Sequence, residues 1–236
     1  MENLKPNGQR AKIAIMLLWT VLTVEIISLL SDYLQYGLLE TVANGGQITT
    51  EAATDNDLRQ KIIGLIYLTV YVISGITFIR WFRRAYYNLH IKAESLSFTE
   101  GWAAGCWFVP IISLYRPNQI MKELYLETQS LLSKKDENYA RNLTTHFIGW
   151  WWALWIISSF LGQFIFRYSM KAETLEELTT TTIASIVASI IGIPLAIITV
   201  KVIKDYSEVE HLLYELKDEE EEVKLIPDTD LHPLEN

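Results

Sequence analysis

One group of residues suited to chemistry is a polar stripe inside a long apolar part of the chain. Glu25, Ser28 and Asp32 follow one another at steps of three and four, which places them on one helix face, and Gln35 continues the stripe. An acid at the centre of a membrane helix costs about 2.5–3.5 kcal/mol on insertion scales, so we do not expect Glu25 to face lipid. With Tyr71 as a further candidate, the stripe predicts either a proton- or cation-handling site or a buried acid that fixes helix packing.

A second group lies in the middle of the chain and is suited to binding anions. Arg80, Arg83 and Arg84 follow an apolar run and can pair with lipid phosphates or with acids such as Glu100. The candidates for an anionic-ligand or lipid-headgroup site are Arg84, Asn88, Trp102, Trp107, Arg116 and Glu123. The alternative is a self-contained structural plug, in which arginine and glutamate pair with each other and the tryptophans anchor the segment.

The remaining motifs argue against several classes of protein. The sequence contains no phosphate-binding glycine loop, HExxH, nucleophile elbow or EF-hand pattern, and we expect no metal and no cofactor. Cys106 is the single cysteine and is expected to be packed, and the four histidines are scattered. Nothing indicates nucleic-acid binding. A lipid-modifying enzyme built on Arg84, Arg116 and Glu123 would lack an obvious nucleophile.

Four long apolar stretches must position these residues. They are 13–39, 62–79, 146–166 and 183–203. A bilayer core of about 30 Å needs about 20 mostly apolar residues per helix, and each stretch reaches or approaches that length. The sequence therefore predicts an all-α membrane protein with four transmembrane helices.

The distribution of basic residues predicts the orientation of these helices. Sixteen of the twenty Lys and Arg residues fall in three segments, 1–12, 80–145 and 201–236. Because an excess of Lys and Arg marks the cytoplasmic side, we expect both termini in the cytoplasm. The external loops are then predicted at 40–61 and 167–182.

The cytoplasmic loop 80–145 is expected to contain two elements. The first is a hairpin at 101–115, interrupted by Pro110, whose apolar run suits a re-entrant or interfacial segment better than a fifth span. The second is an amphipathic helix at 117–132 that starts at Pro117 and lies along the membrane interface.

Four tryptophans open the third transmembrane helix. They are Trp150, Trp151, Trp152 and Trp155. Indole rings favour the level of the lipid headgroups, so we interpret them as an aromatic belt. A cage around a choline-type cation would need the rings to converge on one point, which consecutive helical residues do not favour.

The segment 204–236 is predicted to be an acidic cytoplasmic tail. Residues 205–236 contain twelve acids and two lysines, which accounts for the net charge of −8. Before the charge block, apolar residues recur at coiled-coil spacing: Val202, Tyr206, Val209, Leu213 and Leu216. The seam predicts either a homo-oligomer or protein partner bound through 202–222, or a helix packed on its own cytoplasmic loop.

Three motifs of the central segment occur in a fixed order between two membrane helices. The positions are Arg84 and Asn88, then 101–110 with the sequence GWAAGCWFVP, then Arg116 and Pro117 leading to Glu123. In this order they resemble the bacterial membrane family catalogued as Domain of Unknown Function 4328. Ser113 is a mild departure, since asparagine is expected there. The resemblance is expected to cover about residues 15–210, and it implies a multi-pass protein of the bacterial inner membrane without a known activity.

Most of the unusual residues fall on the predicted cytoplasmic face. We therefore expect a non-enzymatic scaffold or regulatory protein whose loop and tail engage membrane lipids or protein partners. The alternative is a small transporter or channel that uses the stripe around Glu25 and Asp32.

Overall fold

The structure is a computed structural model that describes residues 4–93, 95–134 and 143–216. Its helices are α1 (Gly8–Ala43), α2 (Thr50–Lys92), α3 (Trp102–Gly105), α4 (Arg116–Ser133), α5 (His146–Ser169) and α6 (Leu175–Glu210). A short 3₁₀ helix at Ile112–Leu114 precedes α4, and a last helical turn at 212–216 follows α6. Within these described ranges the chain forms no β-strand.

Four of the helices are long and apolar enough to cross a membrane, namely α1, α2, α5 and α6. Their most apolar 18-residue windows have mean hydropathies between 1.3 and 2.5, and at most 22% of each window is buried inside the protein. Apolar side chains that protein does not cover need a lipid environment. The prediction of an all-α membrane protein with four spanning helices is therefore confirmed.

The spanning helices pack in the order α2, α1, α6, α5. The first helix contacts α2 on one side and α6 on the other, and α5 contacts α6. Ala11 and Ala14 of α1 are buried, which allows the central helices to approach closely. We call the end of this row that holds Arg10, Arg80 and Lys201 the basic end, and the opposite end the far end.

The densest core lies at the basic end. There α4 packs its apolar face, with Ile120, Met121 and Leu124 fully buried, against α2 and α6. The hydroxyl of Tyr125 donates to the carbonyl oxygen of Val202 at 2.5 Å. Lipid can cover the apolar middle of the spanning helices, whereas the segments at the basic end must bury their apolar side chains against each other.

Each spanning helix extends beyond its apolar stretch. The predicted external loops 40–61 and 167–182 are largely helical, and only 44–49 and 170–174 connect the helices. Caps set these ends: Thr49 accepts a hydrogen bond from the backbone of Ala52 at the start of α2. Hydrophobicity marks the part of a helix that crosses the membrane, and capping residues mark where the helix ends.

The segment 101–115 folds as a compact turn. It contains α3 and the 3₁₀ helix, and the chain reverses near Ile111, whose φ is +66°. Phe108 and Ile111 are 76% and 74% exposed. Two exposed apolar side chains at a turn suit contact with lipid, and the re-entrant or interfacial placement of this hairpin stays a prediction.

The apolar seam that begins at Val202 in the last part of α6 is covered by the chain itself. Val202, Tyr206, Val209 and Leu213 are buried, and the hydroxyl oxygens of Tyr206 and Thr128 of α4 are 3.3 Å apart. This packing is the predicted alternative to self-association. The acidic block and the rest of 217–236 lie outside the described residues, so a partner bound through 202–222 stays a prediction.

Candidate anion-binding site

One face of α2 is basic where the helix leaves its apolar stretch. Arg80, Arg83, Arg84 and Tyr87 follow at steps of three and four and therefore share one side of the helix. Arg80 and Arg83 are exposed, and Arg84 is half-buried. The Nε atom of Arg83 lies 2.9 Å from a carboxylate oxygen of Glu100. This pair was among those that the sequence suggested.

The start of the chain adds two cations to this face. The Arg10 guanidinium donates to the carbonyl oxygen of Arg80 at 3.1 Å, and the Lys5 ammonium lies 4.2 Å from the centroid of the Tyr87 ring. An ammonium over an aromatic face is attracted by the ring quadrupole. The segment before α1 is therefore held against the basic face of α2.

Together these residues line an open cavity of about 480 Å³. Its lining consists of Lys5, Arg10, Arg80, Arg83, Arg84, Tyr87 and Glu100. Burial and the charges of Arg84, Arg80 and Arg83 lower the pKa of Arg10. Five cations face one carboxylate, which Arg83 already engages. The cavity thus has an excess of positive charge and many N–H donors, which suits phosphate or another compact anion.

A buried carboxylate lies behind the cavity. Glu210 at the end of α6 is 4% exposed and accepts a hydrogen bond from the Asn88 amide at 2.8 Å. The Asn7 amide donates to both of its oxygens, at 3.0 and 3.1 Å. These bonds join three parts of the chain that are far apart in sequence.

Asn88 also fixes the position of Lys5. Its side-chain oxygen accepts from the Lys5 backbone N–H at 3.0 Å, and its amide donates to the Lys5 carbonyl at 2.9 Å. Asn7 precedes α1 at the N-cap position, but its side chain does not cap that helix and reaches Glu210 instead. The two asparagines therefore hold the N-terminal segment beside the cavity.

Glu210 lies beyond the apolar stretch of α6, in a setting that changes its acidity. Burial raises its pKa to about 7, although the hydrogen bonds from Asn88 and Asn7 and the charge of Arg84 act in the opposite direction. The carboxyl group therefore changes protonation near neutral pH. Its charge is part of the electrostatics of the cavity only above that range.

The six candidates from the central segment do not form one site. Arg84 lines the cavity, and Asn88 lies behind it. Trp107 packs in an aromatic cluster with Phe78, at 5.7 Å between ring centroids, and Trp102 of α3 is 38% exposed. Of the six predicted candidates, only Arg84 therefore lines the cavity.

The other two candidates serve the packing of the central segment. The Arg116 guanidinium lies 4.5 Å from the centroid of the Phe98 ring. Glu123 accepts from the Ser97 backbone N–H at 2.6 Å and from the Tyr86 hydroxyl at 2.5 Å. Burial and the hydrogen bond to Glu123 raise the pKa of Tyr86. Arg116 and Glu123 therefore pack the segment through an aromatic ring and two hydrogen-bond donors, whereas the plug interpretation had arginine and glutamate paired with each other.

The aromatic belt needs a correction. Trp150 is 60% exposed as a belt residue should be, but Trp151 and Trp152 are 2% and 9% exposed. Trp107 contacts both rings edge-on, at 6.4 and 6.2 Å between centroids, and Trp155 stacks on Trp152 at 4.7 Å. The central segment folds back onto α5 and covers these rings, which the sequence of α5 alone does not indicate.

Glu25 is buried between three spanning helices. It is 5% exposed, and the side chains of Tyr67 on α2 and Ser189 on α6 lie near its carboxylate. A Cβ on Gly192 would lie 2.8 Å from the Glu25 Oε1 atom. Glycine at this position therefore makes room for the carboxylate.

The rest of the stripe contacts a separate polar network at the far end. Arg59 donates to the Ser31 hydroxyl at 3.0 Å and to the Asn56 side-chain oxygen at 2.6 Å. The Asn56 amide donates to Gln35, whose own amide donates to the Thr182 hydroxyl at 2.8 Å. This network joins α1, α2 and α6.

The remaining candidates of the polar stripe differ in their burial and in their partners. Asp32 interacts with Gln60 and with the charge of Arg59. Ser28 is half-buried, whereas Tyr71 is 49% exposed and stacks on Tyr67 at 5.9 Å between ring centroids. The stripe is thus divided between the surroundings of Glu25 and the far-end network.

Sequence reasoning missed the residues that come from the two ends of the described chain. From the sequence, Lys5 and Arg10 count only among the basic residues of segment 1–12, Asn7 carries no signal, and Glu210 is one acid among many. Tyr87 could have been placed on the basic face from the sequence, because it continues the helical spacing of the three arginines. Glu210 gave no local signal, because its partners lie 122 and 203 positions away.

Residues 44–208 match the family model described as Domain of unknown function (DUF4328), and the chain belongs to that family. The match begins after α1, later than the expected position near residue 15. No curated protein and no solved structure is significantly similar to the chain. The basic face of α2 falls within the matched residues, the seam that starts at Val202 continues beyond their end, and Lys5, Asn7 and Arg10 fall before them.

Proposed function

We propose that this member of the DUF4328 family is a non-enzymatic membrane protein that binds the phosphate of an anionic lipid in the basic cavity. The observation that carries the proposal is the charge of the lining, with five cations around one carboxylate. Burial and the repulsion from neighbouring arginines lower the pKa of Arg10, and bound phosphate would offset the repulsion. The proposal assigns a binding role and no reaction.

The position of the cavity supports a lipid as the source of the phosphate. Arg80 directly follows the apolar stretch 62–79, and Arg10 lies shortly before the stretch 13–39. Both residues are therefore at the level where lipid headgroups meet the hydrocarbon. Each basic residue near an anionic membrane surface contributes about 1 kcal/mol of attraction.

We place this end of the protein at the cytoplasmic face of a bacterial inner membrane. The placement is supported by the sixteen basic residues in segments 1–12, 80–145 and 201–236. Anionic lipids give the cytoplasmic leaflet a negative surface potential. A basic cavity at that face would anchor the loop and hold the N-terminal segment in place for a scaffold or regulatory role.

The proposal is tested by titrating phosphatidylglycerol against the full-length protein in neutral detergent and counting bound lipid by native mass spectrometry. The pocket variant Arg10→Gln/Arg80→Gln removes two lining cations and keeps the helix. Binding should fall about 30-fold, since two basic residues contribute about 2 kcal/mol and 1.4 kcal/mol is tenfold.

A matched control removes two cations from the same end without touching the lining. Lys201→Gln/Lys204→Gln has this property, because both lysines are exposed and pair with acids one turn later. The control should bind phosphatidylglycerol like the parent protein. Equal loss in both variants would mean that binding follows net charge, and the proposal would fail.

A second candidate function is transport through the spanning helices. It is favoured by the buried Glu25 and by the far-end network around Arg59, which together place polar groups along α1. The prediction is that Glu25→Gln abolishes a flux of protons or cations that the parent protein supports in proteoliposomes. Absence of any flux in the parent protein, under broad ion and pH gradients, would remove this candidate.

A further inference from the structure

The charge of the basic cavity exceeds what one phosphodiester can balance. Five cations and one carboxylate leave a formal excess of four positive charges on the lining. Glu210 behind the cavity lowers that excess by one when it is ionised. A phosphodiester carries a single negative charge, so most of the excess would stay unbalanced with phosphatidylglycerol bound.

The cations are also divided between two walls. Arg80, Arg83 and Arg84 stand on α2, whereas Lys5 and Arg10 come from the start of the chain. A volume of about 480 Å³ lies within the usual range for small-molecule sites, about 300–1,000 Å³. The space therefore admits more than one phosphate, and each wall offers donors of its own.

We infer that the cavity takes a ligand with two phosphoryl groups, one against each wall. The inference rests on the proposed function and names the ligand class of the same site. Two phosphoryl groups carry about two to four negative charges, depending on their esterification, which matches the excess on the lining. One arginine guanidinium can bind two oxygens of a phosphate at once. A ligand with two phosphoryl groups would therefore engage more of the lining arginines than a single phosphate.

Exposed apolar residues beside the cavity favour a lipid as the carrier of these groups. Ile76 and Ile73 precede Arg80 by four and seven positions, so they continue the same face of α2 towards the apolar stretch. They are 53% and 45% exposed, and Ile13, one turn after Arg10, is 39% exposed. Acyl chains of a lipid held by its headgroup would lie against this surface, whereas a soluble diphosphate would not use it.

The test compares ligands at equal phosphate concentration on the full-length protein in neutral detergent. The probes are cardiolipin, phosphatidylglycerol, phosphatidylcholine as background, and inorganic diphosphate, with bound mass and affinity read by native mass spectrometry. One cardiolipin should bind per chain, about tenfold more tightly per phosphate than phosphatidylglycerol. Arg10→Gln/Arg80→Gln should lose about 30-fold in cardiolipin affinity, at about 1 kcal/mol per cation.

The outcomes separate this inference from the proposed function. Equal affinity per phosphate for cardiolipin and phosphatidylglycerol would overturn the two-phosphate ligand and leave lipid binding intact. No binding of either anionic lipid would overturn both. Because Arg10→Gln/Arg80→Gln could fail by misfolding, its far-ultraviolet circular dichroism and elution volume are compared with those of Lys201→Gln/Lys204→Gln.

Competition with inorganic diphosphate shows whether the two phosphoryl groups belong to a lipid or to a soluble ion. Cardiolipin binding that inorganic diphosphate does not displace, even in large excess, would support a lipid whose chains contact Ile73 and Ile76. Displacement at equal concentration would keep the two-phosphate chemistry and overturn the lipid source. Substituting Ile76→Asn should weaken cardiolipin binding and leave diphosphate binding unchanged if the chains contribute.

Discussion

At the scale of single residues, Glu210 shows how a buried carboxylate ties distant segments together. It accepts three hydrogen bonds from the Asn7 and Asn88 amides while it is 4% exposed. An ionised carboxylate offers only acceptors, which suits these donors, but burial disfavours its charge. The balance between the two effects raises its pKa to about 7.

This pKa predicts a pH dependence of stability. The folded pKa is above the ordinary value of 4.5, so the folded protein binds more protons than the unfolded chain between these values. The stabilisation is fully present below about pH 4.5 and is lost as the pH rises through about 7. Each pKa unit corresponds to about 1.4 kcal/mol, so the loss amounts to a few kcal/mol at most.

The measurement is the thermal unfolding midpoint in detergent at pH 5 and pH 8. The fall in midpoint between the two pH values should be smaller for Glu210→Gln than for the parent protein. Glu208→Gln removes an exposed carboxylate from the same helix and should keep the parent's pH dependence. Identical pH dependence in all three proteins would contradict a titrating Glu210.

Helical spacing made part of the site predictable from the sequence. The long-range contacts could not be predicted in this way. Arg84 and Asn88 stand one turn apart, so their proximity follows from the sequence. The pairing of Arg83 with Glu100 was anticipated as well. The contacts of Glu210 needed the packing of α1, α2 and α6, which no local pattern encodes.

At the scale of elements, the aromatic cluster explains how the central segment is attached to the spanning helices. Trp107 lies between Phe78 of α2 and Trp151 of α5, with ring centroids 5.7 and 6.4 Å away. Phe78 and Trp151 are themselves 5.9 Å apart. The two outer helices of the row are therefore joined at the basic end through one cluster.

Adjacent tryptophans offer a direct test of this attachment. Trp151→Ala removes a ring that is 2% exposed, and a large buried aromatic usually costs about 3–5 kcal/mol when it is truncated. Trp150→Ala removes a ring that is 60% exposed and should cost little. We expect a clearly lower unfolding midpoint in detergent for Trp151→Ala only. Equal shifts in the two variants would restore the interpretation of these residues as a simple belt.

Hydrophobic length predicted the number of the spanning helices, because the bilayer imposes that length. It did not predict where the helices end, because caps such as Thr174 lie well outside the apolar stretch. At that position the Thr174 side chain accepts from the Glu177 backbone, and the Glu177 carboxylate accepts from the Thr174 backbone N–H. The predicted amphipathic helix 117–132 corresponds to α4, whose apolar face packs inside the protein, and its placement along the membrane interface stays a prediction.

At the scale of the whole molecule, the protein combines a row of four spanning helices with a densely packed layer of residues at the basic end. The row exposes apolar side chains to lipid, and the layer buries Trp81, Phe82 and Tyr206. Five of the chain's basic residues meet where the two parts join. We propose that this junction binds lipid phosphate.

The measurement that tests this claim most directly is the amount of anionic phospholipid that co-purifies with each chain from native membranes. Parent protein, Arg10→Gln/Arg80→Gln and Lys201→Gln/Lys204→Gln are purified in parallel in neutral detergent, and lipid phosphorus is determined by class. Lipid binding in the basic cavity predicts equal anionic lipid in the parent and the lysine variant, and a clear loss in the arginine variant. Equal amounts in all three would contradict it.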